Sequence, residues 1–135
     1  MTPMNKVETA LLTRRLQDLL AEHESILAAV VATHDGFEVA YAQRQGALSP
    51  ARVAAMASSL QALGSSMAAE TSSGACTDII INGTLGRLLV RDIADAQMPL
   101  LLCVQTTTET VLGSVLFAVR ECLTDVAGLL DRAHH

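Results

Sequence analysis

Apolar positions recur at helical spacing in three segments of this chain and gather into short, partly β-branched runs between them. From Asn5 to His23, Val7, Leu11, Leu12, Leu16, Leu19 and Leu20 share one side. Arg14, Arg15, Gln17, Asp18 and Glu22 share the other, which predicts an amphipathic helix. Ile26 to Thr33 is short and apolar; His34-Asp35-Gly36 follows, then Phe37 to Ala42. Asp-Gly between two such runs predicts an antiparallel hairpin with a type I′ turn, which needs positive φ at both central positions. Beyond the polar loop Gln43 to Leu48, a second helix ends near Thr71. Strands are then expected at Ala75 to Ile81, Gly86 to Asp92 and Pro99 to Thr106, with a turn at Asn82-Gly83 and a joining segment at Ala94 to Met98. In Glu109 to Arg132, Leu112, Val115, Leu116, Val119, Leu123, Val126, Leu129 and Leu130 recur at helical spacing opposite Arg120, Glu121, Asp125 and Asp131. The order α-β-β-α-β-β-β-α, without repeat or linker, makes residues 1–135 one α+β domain on an antiparallel sheet.

The second helix is unusual because Val53 to Ala69 carries no charge between Arg52 and Glu70. Ser49 suits the N-cap and Pro50 the first helical position. A surface helix normally keeps a charged face, so an uncharged one is expected to be covered on two sides. A chain this short offers too little of its own bulk for both, so the second cover is another copy or a partner. Val53, Met56, Leu60, Leu63 and Met67 share one face, expected to sit on the sheet. Ala51, Ala55, Ser58, Ala62, Ser65 and Ala69 form the opposite face, small enough for another helix to approach. The run also falls short of the roughly 20 apolar residues of a membrane span and includes Ser, Gln and Gly, so no membrane insertion is expected.

Composition narrows the function. Of 135 residues 50% are apolar, yet the aromatic residues are two Phe and one Tyr, so the core is aliphatic. A net charge of −5 with so few aromatics argues against nucleic acid, which needs cations for phosphates and rings for stacking. The amino-terminal residues lack the continuous apolar core of a signal peptide, so a cytoplasmic location is expected. Cys76, Cys103 and Cys122 stand apart among apolar neighbours and read as small buried thiols. Gly83-Thr84-Leu85-Gly86 lacks the Lys-Ser/Thr and the helix of a phosphate loop and reads as a hairpin turn. His23, His34, Asp35, Asp78 and Asp92 form no catalytic motif, and no metal or organic cofactor is implied. His134 and His135 read equally as native residues or as a tag.

The chain resembles the Roadblock family, the dynein light chain Roadblock type, over roughly Leu12 to Leu130. The resemblance is carried by VVATHDGFEVA at Val30 to Ala40, the small-residue helix at Ala51 to Ala69, DIIINGTLGRLLVRDI at Asp78 to Ile93, and VLGSVLFAVRE at Val111 to Glu121, with Gly113 at the glycine of the last helix. It implies a five-stranded antiparallel sheet flanked by helices and a homodimer that joins sheets across the third strand while second helices lie side by side. Ala75, Asp78 and Ile80 would then stand at the sheet junction, and Ala51, Ala55, Ser58, Ala62, Ser65 and Ala69 at the helix pair.

The resemblance further implies a non-enzymatic regulator or scaffold for a Ras-like small GTPase, as in bacterial members that act with a small GTPase in polarity, motility or development. Some members resemble GTPase-activating proteins. Arg44 and Arg52, flanking the start of the central helix, are the candidates for an arginine beside the transferred phosphoryl group. This chain departs from a generic member in lacking charge and large aromatic anchors on that helix. The alternative is a dimeric adaptor indifferent to nucleotide; an enzyme, or a sensor holding a small ligand on the sheet, lacks a supporting motif.

Overall fold

The computed structural model describes residues 5–46, 48–93 and 99–133. They form α1 (Lys6–Glu22), β1 (Ile26–Thr33), β2 (Glu38–Gln43), α2 (Pro50–Glu70), β3 (Asp78–Asn82), β4 (Arg87–Ile93), β5 (Leu100–Thr106) and α3 (Leu112–Ala133), the expected order. The joining segment Ala94 to Met98 and the terminal His134 and His135 lie outside the described residues.

The strands make one antiparallel sheet in the order β2-β1-β5-β4-β3. Central β5 is buried from Leu100 through Val104, as a strand covered on both faces must be. Leu100, Leu102 and Val104 meet Leu12, Leu16 and Leu19 of α1 and Val115, Val119, Cys122 and Val126 of α3 in one aliphatic core. The other sheet face is covered by α2, with Ala54 against Val30 and Ala32, and Ala57 against Val90 and Cys103.

Local chemistry sets the helix starts. Asn5 caps α1 reciprocally: its Oδ1 accepts from Glu8 N at 2.8 Å while Glu8 Oε1 accepts from Asn5 N at 3.2 Å. Gln43 fixes where α2 begins, because its carboxamide accepts from Leu48 N at 3.3 Å and donates to Leu48 O at 3.4 Å.

Two expectations are corrected. The β1–β2 turn is not type I′: Gly36 N donates to Thr33 O at 3.1 Å, Thr33 N to Phe37 O at 2.8 Å, and Gly36 alone in the turn has positive φ, 99°. That is a three-residue loop in which a left-handed glycine follows a tight turn, and it sends an extra residue into β2. Val31 pairs with Ala40 but Ala32 with Glu38, leaving Val39 as a bulge. The third strand begins at Asp78 and includes Asn82, so Ala75 precedes it and the turn moves to Gly83–Gly86, closed by Gly83 N to Gly86 O at 2.8 Å.

Candidate interaction surface

The seat of α2 on the sheet is made of small side chains, against expectation. Ala54, Ala57 and Gln61 are its buried residues, and Val53 and Leu60 are half-buried beside them. Met56, Leu63 and Met67, expected on the sheet, are instead 62%, 59% and 61% exposed. The alanines let the helix ride low over β1, β4 and β5, so the longer side chains project sideways. At Gly64 the approach is closer still: a Cβ there would lie 2.8 Å from Ile79 Cδ1.

The two flanks of α2 therefore differ. At about 100° per residue, Met56, Leu60, Leu63 and Met67 line the side towards β3. There Val53, Met56, Leu60, Ile81, Leu85 and Leu88 line an open groove of about 620 Å³. The small residues line the other side, towards the β1–β2 turn. Ala51, Ala55, Ala62, Ser65 and Ala69 are exposed, while Ser58 is half-buried. A Cβ on Gly36 would stand 3.1 Å from Ser58 Oγ and 3.6 Å from Ala55 Cα, so the chain's own hairpin occupies part of this flank.

Strand β3 forms one edge of the sheet. With Gly83 bonded to Gly86 and Ile80 opposite Leu89, Ile79 and Ile81 direct their backbone groups to β4. Asp78, Ile80 and Asn82 turn theirs outward. Among the described residues this places unpaired N–H and C=O groups beside an exposed apolar stripe.

The arginine candidates separate. Arg44 donates from Nε to Ile26 O at 2.9 Å and from Nη2 to His23 O at 2.8 Å and to Leu20 O, so its guanidinium closes the end of α1. Arg52 is exposed on the first turn of α2. Nothing local in the sequence announces the role of Arg44, because its acceptors are carbonyls brought near by the fold. Of the scattered acids and histidines, the fold brings His34 and Asp92 together, Nε2 to Oδ1 at 2.7 Å, across 58 positions of sequence. Asp78 Oδ1 lies 3.1 Å from Arg91 Nε. No group of three metal-ligating side chains occurs among the described residues. Burial pushes the Cys103 and Cys122 thiols up to about 11, the inert state expected of core thiols, while Cys76 is half-buried.

The Roadblock/LC7 domain family matches residues 12–106. The chain belongs to the Roadblock/LC7 family. The match stops before α3, so Gly113 lies outside it; in the fold it opens α3 with nothing within 4 Å of where a Cβ would stand. Solved Roadblock/LC7 relatives share the whole architecture. MglB of Myxococcus xanthus superposes with a TM-score of 0.84 at 12% identity, covering 97% of this chain and 96% of that one. The gliding protein MglB of Thermus thermophilus gives 0.80 at 16% identity, covering 98% and 99%. A Roadblock/LC7 domain from Streptomyces avermitilis gives 0.77 at 18%, covering 87% and 96%. Among curated proteins none matches the sequence. No helix among the described residues of this Roadblock chain is long and apolar enough to cross a membrane.

Proposed function

We propose that this Roadblock/LC7 protein is a homodimer that binds a Ras-like small GTPase in the cytoplasm and regulates it without being an enzyme itself. The observation that carries the dimer is the continuity of Met56, Leu63 and Met67 with an open edge strand of isoleucines. Exposed apolar surface of this kind, beside unpaired backbone groups, is stable in water when a partner covers it. Joining β3 to β3 puts Asp78 and Ile80 at the junction and brings the large flanks of the two α2 helices together. The small flank at Ala51, Ala55, Ala62, Ser65 and Ala69 then faces away from the seam, a flat shelf for the GTPase.

The GTPase itself rests on the family resemblance. The guanidinium of Arg44 is committed to backbone carbonyls, so any stimulation of hydrolysis comes from ordering the GTPase's own catalytic groups or from Arg52. Arg52 is the remaining candidate for a finger. The test is recovery of partners on immobilised protein with excess GDP or with a non-hydrolysable GTP analogue. A Ras-like GTPase held with the analogue supports the reading; nucleotide-independent retention of a different protein gives the adaptor instead.

A further inference from the structure

Within the β3-to-β3 homodimer of the preceding reading, we propose a single register centred on Ile80, in which the carboxylate of Asp78 accepts a hydrogen bond from the carboxamide of the partner's Asn82, twice by symmetry. This rests on the homodimer reading and adds to it the register and the polar clasp.

The strand Asp78-Ile79-Ile80-Ile81-Asn82 reads with the same chemistry from both ends. Its outward backbone groups belong to Asp78, Ile80 and Asn82. An antiparallel two-fold through Ile80 therefore pairs every residue of the strand: Ile80 with the partner's Ile80, Ile79 with the partner's Ile81, and Asp78 with the partner's Asn82. Sliding the centre to Ile79 or Ile81 leaves an end unpaired. Centring on Asp78 sets like charges opposite each other, which is destabilising.

The end residues are prepared for this register. Asp78 Oδ1 is buried against Arg91 Nε at 3.1 Å, which turns the carboxylate so that Oδ2 is the oxygen left for a partner. Its Oδ2 takes only a long bond, 3.3 Å, from the Thr77 hydroxyl, and the side chain keeps 27% exposure. Asn82 Oδ1 already accepts from Arg87 Nε at 2.7 Å, which orients the amide and leaves its NH2 group to donate. A carboxylate that only accepts thus meets an amide held ready to donate, and hydrogen bonds to charged acceptors are the strong ones. On the opposite face Ile79 and Ile81 form branched cross-strand pairs that continue the stripe of α2.

Cysteine cross-linking reads the register. Cys76→Ser supplies the background, since burial keeps Cys103 and Cys122 protonated at pH 8. Opposed residues in antiparallel strands have Cα atoms about 4.5–5.5 Å apart, within disulfide reach. After diamide oxidation, Ile80→Cys is expected to form a cross-linked dimer alone. Ile79→Cys and Ile81→Cys are expected to do so only when mixed. Self-linking of Ile79→Cys or Ile81→Cys in a protein that scatters as a dimer overturns the register and leaves the dimer standing; a monomer in light scattering overturns the homodimer itself. For the clasp, Asn82→Asp should raise the dimer Kd at least tenfold, and Asp78→Asn/Asn82→Asp, which exchanges the partners, should recover most of it. If the exchanged protein dimerises no better than Asn82→Asp, the clasp is wrong.

Discussion

Arg44 donates from Nη2 to the carbonyl oxygen of His23 at 2.8 Å, stitching the end of β2 to the end of α1. Together with its bonds to Leu20 and Ile26, this supplies a cation where the last carbonyls of a helix lack partners. Arg44→Ala should lower stability by about 1–3 kcal/mol in denaturant unfolding. Arg44→Lys should recover little, because a single ammonium does not reproduce the planar fork. A variant as stable as the parent would show that these bonds are replaced by water without loss.

Arg52 tests the arginine finger separately. An inserted finger accounts for about 10³–10⁵ in rate where one is used. Arg52→Ala is expected to leave stimulated GTP hydrolysis by the cognate GTPase within about tenfold of the parent in a single-turnover assay. A loss of a thousandfold would make Arg52 the finger.

The two flanks of α2 should respond differently to charge. Leu63→Glu should convert the dimer to monomer at micromolar concentration, because full burial of a Leu-sized side chain contributes about 1.5–3 kcal/mol and a buried unpaired charge reverses it. Ala62→Glu, on the small flank, should leave the dimer intact and weaken GTPase binding. Sedimentation of both variants decides the matter; if Ala62→Glu alone dissociates the dimer, the small flank is the helix pair after all.

Gly64 and Ile79 form a coupled pair. Gly64→Ala gains about 1 kcal/mol of helix propensity and sets it against the contact with Ile79 Cδ1. The alanine should be near neutral in the parent and more favourable in an Ile79→Val background, where the closest methyl is gone and Cys76 Sγ, at 3.3 Å, is the remaining tight neighbour. Equal effects in both backgrounds would show that Ile79 moves aside freely.

The buried thiols give a pH dependence with a definite sign. The folded state holds Cys103 and Cys122 protonated up to about 11, while the unfolded chain releases those protons near 8.5. Between these values the native state binds more protons, so stability is fully present below about 8.5 and falls as pH rises towards 11. Cys103→Ala should show a shallower loss of Tm over that range, and a thiol reagent at pH 8 should label Cys76 alone in the native protein.

The element order and the existence of each element were legible because the aliphatic periodicity of α1 and α3 and the run of β5 leave little choice. The side of α2 was not. Its large residues look like a core stripe in sequence, but alanines at Ala54 and Ala57 fit the shallow space above Val30, Ala32, Val90 and Cys103, and only the assembled sheet shows how shallow that space is. The turn type failed for a related reason: Asp35-Gly36 permits a two-residue turn, and the longer loop that forms lies against Ser58, a tertiary contact absent from local chemistry. Asp78 and Ile80 were picked out by the family resemblance, whereas the outward set of Asp78, Ile80 and Asn82 follows from the pairing of β3 with β4.

The bulge at Val39 bears on how large the assembly grows. A sheet with two regular edges is a polymerisation unit, adding copies at either end without a natural stop. Here β3 pairs with β4 in an unbroken register, while β2 carries an extra residue against β1. In the proposed dimer two copies use their β3 edges on each other, and both outer margins are then bulged ones, poor templates for a further strand. That one inserted residue would mark the outer margins of the proposed dimer as the edges that do not extend the sheet, and a variant without it should be tested for filament formation.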